Sequence, residues 1–406
     1  MEAPDVAAAI ARYESYVKAD AQNPLLWINL GELYHRVSRH EEAIACFERC
    51  LHDHPNYHSA RSHLARVLIS QHRFADAEQL LRGLLSDQDQ DQNQDPNLLY
   101  NLGLSLYYQR RWPEAESTFT LAQRHGLATP DSYAYLARCR HYAGDLVQAA
   151  ALCQRWIDTA RDAQSLGYMA LLQMDQGHMA EAQRIAEEVL AEAPDNTHAG
   201  LVAGTTAMEA QDIETACRHF EQILAREPDN ARAWLGVGLA RLYQQRHEDS
   251  IQALQRALEL IPDSAGIAVT LGWARLAHRD LKGAEHEFLR AVDIDHNFGE
   301  AHGGLASALA LQSRTNEAQS AIRRAVRLDP HGFGAAFART VILKIQGRHD
   351  AATDLLARVL QQSPRADSKS LLEHLELFSR KHPPANPSPS PAPARPPATG
   401  PARRRS

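Results

Sequence analysis

The sequence contains no uninterrupted run of about 18 apolar residues, which a membrane-spanning helix would need. Cysteine is scarce, and the five cysteines are an odd number without paired spacing, so a disulfide framework is not expected. The opening residues, MEAPDVAAAIARYE, carry acids at positions 2 and 5 and lack the basic start of a secretory signal. We therefore expect a protein of a reducing, cytoplasmic setting, with no membrane span.

Clustered positive charge is missing from the body of the chain. The formal net charge is −7, with 43 lysines and arginines against 50 acidic residues. Four of the arginines, Arg395 and Arg403–Arg405, lie in the last segment from His382, which has no acid. Without these four charges the remainder of the chain stands at −11. Because contacts to phosphates require clustered lysine and arginine, we expect no nucleic-acid partner.

Motifs for catalysis are also absent. There is no nucleophile elbow, phosphate-binding loop or dinucleotide-binding turn. Three His-Glu pairs begin like a zinc-protease motif but lack its second histidine; they are His40-Glu41, His247-Glu248 and His286-Glu287. His52, His54 and His58 form one further histidine group, at a polar turn where histidine is common. We therefore expect no enzymatic activity, no cofactor and no metal site.

The sequence does contain a small residue that recurs with a period of 34. The steps are 34 residues long except for one of 38 and one of 33. The recurring residues are Ala43, Ala77, Ala115, Ala149, Ala182, Ala216, Ser250, Ala284, Ala318 and Ala352. A fixed period of this length indicates stacked helix–turn–helix units, because one such unit cannot bury its apolar face alone.

The first unit, residues 24–55, shows what one period contains. Apolar residues at helical spacing give each of its two helices one buried stripe. Gly31 and Ala43 are small where the two helices must approach, and Phe47 is large enough to fill the space between helix pairs. Pro55 ends the second helix, because proline lacks the N–H that the helix would use.

This pattern resembles the tetratricopeptide repeat family, whose signature is tryptophan, leucine-glycine and tyrosine on helix A, then alanine, phenylalanine, alanine and proline on helix B. The matching residues of the first unit are Trp27, Leu30-Gly31, Tyr34, Ala43, Phe47 and Pro55, with Cys50 at the second alanine position. Ten such units lie in register. The resemblance implies an all-α fold, a right-handed superhelical solenoid of about ten helix-turn-helix repeats with capping helices and a disordered Pro-rich tail.

The register also predicts the domain organisation. Residues 1–23 read as an N-terminal capping helix, an orphan helix B, ahead of ten repeats at 24–364. A C-terminal capping helix is expected at 365–381 because its apolar residues form one stripe. Residues 382–406, rich in Pro, Ala and Ser, are expected to be disordered and partly in extended polyproline conformation. The 38-residue step coincides with a polar insertion at 87–95.

In the family, helix A of each repeat lines a concave groove, so the resemblance implies that a partner binds there. An N-terminal aromatic and polar zone consists of His63, Arg66, Tyr100, Asn101, Tyr107, Tyr108, Tyr135, Arg138, His141, Tyr142 and Tyr168. A C-terminal apolar zone consists of Leu201, Met208, Leu235, Leu239, Leu242, Tyr243, Val269, Trp273, Leu276, Phe337, Val341 and Ile345. Glycines that would leave its wall open are Gly236, Gly266, Gly303, Gly304 and Gly334. An exposed apolar strip of this length normally marks an interaction site.

The function predicted from these features is that of a non-enzymatic scaffold or adaptor, which binds a partner peptide or helix in the groove. Two alternatives remain: a chaperone or assembly factor for a secretion or surface-polysaccharide apparatus, and an accessory subunit of a transferase. The two-carboxylate clamp of the family's co-chaperones is absent, because Glu32, His63 and Asn101 stand among the positions where its basic and amide residues would be needed. The oligomeric state is left open.

Overall fold

The structure, a computed structural model, describes residues 3–86 and 94–362. Within these ranges the chain forms 21 α-helices and no strand. It divides into two compact units, Met1–Thr206 (unit 1) and Ala207–Ser406 (unit 2). The predicted C-terminal capping helix at 365–381, the tail at 382–406 and most of the insertion at 87–95 lie outside the described residues.

The helices of unit 1 are α1 (Ala3–Ala19), α2 (Pro24–Arg36), α3 (His40–Asp53), α4 (His58–Ser70), α5 (Phe74–Ser86), α6 (Pro96–Tyr108), α7 (Trp112–Arg124), α8 (Pro130–Tyr142), α9 (Leu146–Thr159), α10 (Ala163–Asp175) and α11 (Met179–Glu192). Helix α12 (Thr197–Glu209) contains the boundary between the units.

The helices of unit 2 are α13 (Ile213–Leu224), α14 (Ala231–Tyr243), α15 (His247–Leu260), α16 (Ala265–Ala277), α17 (Leu281–Ile294), α18 (Gly299–Leu311), α19 (Thr315–Leu328), α20 (Phe333–Ile345) and α21 (His349–Gln362). The even-numbered helices from α2 are the A helices and the odd-numbered helices from α3 are the B helices. Ten A–B pairs therefore follow α1 in the described part of the chain, as the period predicts.

From α1 to α11 and from α13 to α21, consecutive helices pack on one another, and several A helices of neighbouring pairs also touch. The residue that recurs at period 34 lies on every B helix and has 0% exposed surface in all ten pairs. Ser250 meets this condition although it is polar, because its Oγ donates a hydrogen bond to the Gly238 carbonyl at 2.7 Å. The prediction that these positions form the helix contacts is confirmed.

The recurring pairing of a helix A glycine with a helix B phenylalanine has a steric cause. A Cβ added to Gly31 would lie 2.7 Å from the ring of Phe47, and one on Gly103 would lie 2.7 Å from Phe119. Both phenylalanines are fully buried. The phenylalanine ring of helix B therefore occupies the volume that a side chain on the helix A glycine would need.

Each A–B turn has one residue in the left-handed region, with φ between 58° and 84° in the described residues. Only three of these residues are glycine, so composition gives no signal for the turn. The residues are Ser38, His72, Arg110, Gly144, Gly177, Gln211, Gln245, Arg279, Ser313 and Gly347. The same backbone step therefore joins the two helices of every pair, whatever residue occupies it.

Helix α1 covers Ala3–Ala19, close to the helix expected before the first repeat. Val6, Ile10 and Val17 are buried, and the Tyr34 hydroxyl of α2 donates to Glu14 Oε1 at 2.6 Å. Helix α1 thus covers part of the first repeat. Its role as a cap stays a prediction.

Candidate functional site

A continuous row of aromatic rings lies along the A–B turns of unit 1. Helix α6 supplies Tyr107 and Tyr108 at its C-terminal end, and α8 supplies Tyr142 at the same position. Phe74 and Trp112 are the first residues of the B helices α5 and α7. Because the turns repeat, they bring A-helix ends and B-helix starts together. We call these five residues the aromatic row.

The rings of the aromatic row are in contact from one end to the other. Along the row Phe74, Tyr108, Tyr107, Tyr142 and Trp112, successive ring centroids are 4.9, 5.3, 6.3 and 5.0 Å apart. Tyr108 is 47% exposed and Tyr142 is 59% exposed. Large hydrophobic side chains with this exposure are few in the described residues, and here two of them belong to one contiguous surface.

Tyr135 of α8 lies between the aromatic row and the buried core, and contacts both. Its ring stacks on the buried Phe119 at 5.5 Å, and it meets Tyr107 edge to face at 5.1 Å. The hydroxyls of Tyr135 and Tyr108 share a hydrogen bond of 3.3 Å. Burial raises the pKa of Tyr100, Tyr107 and Tyr135 above the usual range, so these phenols stay neutral and act as hydrogen-bonding groups.

Arg138 lies next to the row, enclosed by aromatic rings. Its Cζ is 5.3 Å from the ring centroid of Tyr135, 5.6 Å from that of Trp156 and 5.5 Å from that of Tyr168. In the described part of the chain no carboxylate forms an ion pair with Arg138. The rings hold the guanidinium by cation–π attraction, which is worth about 0.5–2 kcal/mol. We call this group the Arg138 cage.

Further polar residues predicted for this zone are engaged within the stack. His141 Nδ1 lies 2.8 Å from the Tyr168 hydroxyl, and its Nε2 lies 2.8 Å from Asp175 Oδ2. His63 and Arg66 both bind the carboxylate of Glu32. These side chains hold neighbouring A helices together and are less available to a partner than the aromatic row.

His63 and His35 of this polar network have shifted pKa values. Burial lowers the pKa of His63, and its effect outweighs that of the Glu32 carboxylate, which raises the pKa. The positive charge of Arg66 lowers it further. Burial and the positive charge of Arg66 lower the pKa of His35. The His35 and His40 Nδ1 atoms lie 3.3 Å apart. The packing between α2 and α4 therefore favours the neutral form of both shifted histidines.

The predicted C-terminal apolar zone is largely buried. Trp273 is 6% exposed and Phe337 is 7% exposed. The Trp273 ring centroid lies 5.4 Å from those of Phe288 and Phe333, and 6.1 Å from that of Phe337. The expectation of an exposed strip is therefore wrong for the buried members, which are Leu201, Leu242, Val269, Trp273, Leu276 and Phe337.

The physical reason lies in the glycines of α18. A Cβ on Gly303 would be 2.8 Å from the backbone N of Ala335, and one on Gly334 would be 2.5 Å from the carbonyl carbon of Gly303. The backbones of α18 and α20 are thus in direct contact, and aromatic residues of α16 and α20 meet over the small residues of α18. The expectation that glycines leave the wall open is wrong here, and also at Gly236, which Phe220 fills.

The other residues predicted to line the groove keep accessible surface. Leu235, Leu239 and Tyr243 of α14 are half-buried, as are Tyr100 and Asn101 of α6. The structure brings Tyr100, Tyr107, Tyr135, Arg138 and Tyr142 together in unit 1. That a partner binds any of these residues stays a prediction.

The sequence pattern did not point to Phe74, Trp112 or Trp156, because they belong to B helices and only A helices were expected to line the groove. Phe74 and Trp112 occupy the same place in successive repeats, since they are separated by the same 38 residues as Ala77 and Ala115. That register was readable from the sequence. Their contact with tyrosines of the A helices was not, because it depends on the geometry of the turn.

A half-buried glutamate in unit 2, Glu300, lies apart from these surfaces. Glu300 of α18 accepts a hydrogen bond at 3.1 Å from the N–H of Gly334, in the first turn of α20. Burial raises the pKa of Glu300 to about 7. The carboxylate thus satisfies a helix N-terminus in the next repeat while remaining poorly hydrated.

Comparison with known proteins agrees with the repeat pattern. Family models described as tetratricopeptide repeat match residues 1–49, 35–95, 100–165, 201–265, 269–332 and 304–367. A curated relative, the uncharacterized protein y4yS of Sinorhizobium fredii, is 36% identical over 73 residues. That match covers 18% of this chain and 40% of the relative, so it describes a part of each protein.

The fold is similar to that of solved structures of IFIT1. The human IFIT1 dimer with m7Gppp-AAAA aligns over 89% of this chain and 95% of its own, with 14% identity and a TM-score of 0.52. An IFIT1 monomeric mutant with Gppp-AAAA aligns over 94% and 96%, with 14% identity and a TM-score of 0.55. At this identity the likeness shows the fold alone. Among the described helices, none has the length and apolarity needed to cross a membrane.

Proposed function

The chain belongs to the tetratricopeptide repeat family, and from this premise we propose that it is a non-enzymatic scaffold or adaptor that binds a segment of a partner protein on the aromatic row of unit 1. Proteins of this family are generally non-catalytic interaction scaffolds. The proposal assigns the contact to one surface, with the Arg138 cage beside it. The observation that carries it is the unbroken contact of five rings, two of which are about half exposed.

Aromatic rings at such a surface favour binding for a physical reason. Tyrosine and tryptophan remove large apolar areas from water while losing little side-chain entropy, and both are enriched among residues that dominate interfaces. The rings of Tyr107 and Tyr108 already contact their neighbours, so their positions are restrained before a partner arrives. A restrained surface loses less conformational entropy on association.

The partner is taken to be protein rather than nucleic acid. The chain without its last segment has a formal charge of −11, which opposes binding to phosphate backbones. All five cysteines are free and buried, and burial raises the pKa of Cys46, Cys139 and Cys153 to about 12. Unreactive buried thiols suit the reducing, cytoplasmic setting that we propose.

Affinity purification from the native cell extract tests the proposal. The bait is the full chain as wild type and as the double variant Tyr108→Ala/Tyr142→Ala, with retained proteins quantified by mass spectrometry. We expect at least one protein to be retained by wild type and reduced about tenfold or more by the variant. This magnitude corresponds to a loss of at least about 1.4 kcal/mol of binding free energy.

A matched control distinguishes binding at the aromatic row from non-specific hydrophobic binding. Tyr16→Ala/Val147→Ala also removes two large exposed hydrophobic side chains from unit 1, at sites outside the row, and should retain the same proteins as wild type. Circular dichroism must show equal helix content for all three baits. Equal retention by wild type, the row variant and the control would contradict the proposed site.

A further inference from the structure

The sequence of this chain contains a proline-rich segment, a kind of ligand that aromatic surfaces bind. Residues 383–397 read PPANPSPSPAPARPP and contain eight prolines. Such a composition favours the polyproline II conformation, which has three residues per turn and a rise of about 3.1 Å per residue. Proline-rich segments of this kind bind grooves lined by aromatic side chains, because their preformed backbone loses little entropy on binding.

The spacing of the exposed rings suits this ligand. Tyr108 and Tyr142 are the most exposed members of the aromatic row and are linked through Tyr107 by steps of 5.3 and 6.3 Å. The centroids of these two rings are therefore at most about 12 Å apart, a range that includes one polyproline II turn of about 9 Å. Pro384 and Pro387 are three residues apart, as are Pro393 and Pro396, so each pair falls on one face of such a helix.

The hydrogen-bonding groups of the proline-rich segment and of the tyrosines are also complementary. A polyproline II backbone is fully solvated and makes no internal hydrogen bonds, so its carbonyl oxygens need donors, and each proline lacks an N–H of its own. Tyrosine hydroxyls are donors. The bond between Tyr108 and Tyr135 uses one of their two hydroxyl protons, which leaves the other for a carbonyl of the ligand.

We propose that the aromatic row of one molecule binds the proline-rich segment 383–397 of a second molecule of the same chain. This names the partner of the surface proposed above and rests on that function. Every molecule carries both halves of the contact, which joins two different surfaces and so permits head-to-tail association. The segment has a single charge, at Arg395, so its binding should depend weakly on salt, unlike that of a highly charged segment.

Two measurements on the full-length protein test this assignment. In the first, a fluorescently labelled synthetic peptide of residues 383–397 is titrated with wild type, and binding is followed by anisotropy. We expect saturable binding that weakens at least tenfold for Tyr108→Ala/Tyr142→Ala and is unchanged for Tyr16→Ala/Val147→Ala. A control peptide with Pro384→Ala, Pro387→Ala, Pro393→Ala and Pro396→Ala should bind at least tenfold more weakly.

In the second, sedimentation velocity is recorded over a hundredfold range of protein concentration. We expect self-association that rises with concentration and is lost both in Tyr108→Ala/Tyr142→Ala and on addition of excess peptide. Absence of peptide binding would overturn the inference, and peptide binding by a protein that stays monomeric would overturn the assignment to a second molecule. Neither result removes the proposed function, which fails only if the row variant retains the same cellular proteins as wild type.

Discussion

The backbone contact between α18 and α20 makes a sharp prediction for Gly303→Ala. The added Cβ would lie 2.8 Å from the backbone N of Ala335 and 3.0 Å from backbone atoms of Gly334. Backbone atoms cannot rotate away as a flexible side chain can. The two helices must therefore separate, or α18 must shift within unit 2.

The expected magnitude follows from three contributions. Overpacking of a tight contact costs about 1–3 kcal/mol. Separation also weakens the hydrogen bond that Ser307 Oγ donates to the Gly334 carbonyl, 2.9 Å long, which is worth about 1 kcal/mol. The higher helix propensity of alanine stabilises the folded state by about 1 kcal/mol and offsets part of this loss. We expect Gly303→Ala to lower the free energy of unfolding by about 1–3 kcal/mol.

Urea unfolding followed by circular dichroism measures this change. The matched control is Gly266→Ala in α16, where an added Cβ meets nothing within 4 Å, so that only the propensity gain of up to about 1 kcal/mol remains. The two substitutions are chemically identical and both lie on A helices of unit 2. If Gly303→Ala proved as stable as Gly266→Ala, the close approach of α18 and α20 would be refuted.

Three further predictions concern titration and helix propensity. Burial raises the pKa of Glu300 to about 7 from 4.5, so its contribution to stability is greatest below pH 4.5 and declines as the pH rises to 7. Glu300→Gln, which does not titrate, should exceed wild type by up to about 3 kcal/mol in urea unfolding at pH 8 and match it near pH 4.5; an advantage independent of pH would contradict the assignment. The lowered pKa values of His35 and His63 give stability the opposite dependence on pH. The neutral forms of these histidines stabilise unit 1 above pH 6.5, and this stabilisation is lost as the pH falls below 6.5 through the lowered pKa values. The urea midpoint of the full chain, followed by circular dichroism, should therefore drop below pH 6.5 and drop less in His35→Gln/His63→Gln, whereas equal slopes would argue against these two groups. Gly83→Ala in α5, where an added Cβ meets nothing within 4 Å, should raise the free energy of unfolding by about 1 kcal/mol, and a loss of stability would show an unseen constraint at that position.

Part of the candidate site was predictable from the sequence. The family register assigned Tyr100, Tyr107, Tyr135, Arg138 and Tyr142 to A helices, and the structure brings them together in unit 1. This succeeded because residues one period apart occupy equivalent places in adjacent helix pairs. The prediction required only the period and the identity of the residue.

The apolar zone shows where the same reasoning fails. Trp273 and Phe337 were assigned to an open groove because each occupies a groove position of its own repeat. Their burial depends on α18, whose glycines let α20 approach and let side chains two repeats apart make contact. A rule applied to one repeat at a time cannot include a contact that skips a repeat.

The sequence alone determined the all-α fold, the family and the ten helix pairs of the described region, because each pair needs the same small and large residues to bury its apolar stripe. Tertiary structure decided which aromatic residues stay at the surface. Tyr108 and Tyr142 remain exposed at the helix ends, while Trp273 is enclosed where glycines bring two backbones together. The physical reason is that burial of a side chain depends on the distance between neighbouring helices, and the smallest residues of a third helix set that distance.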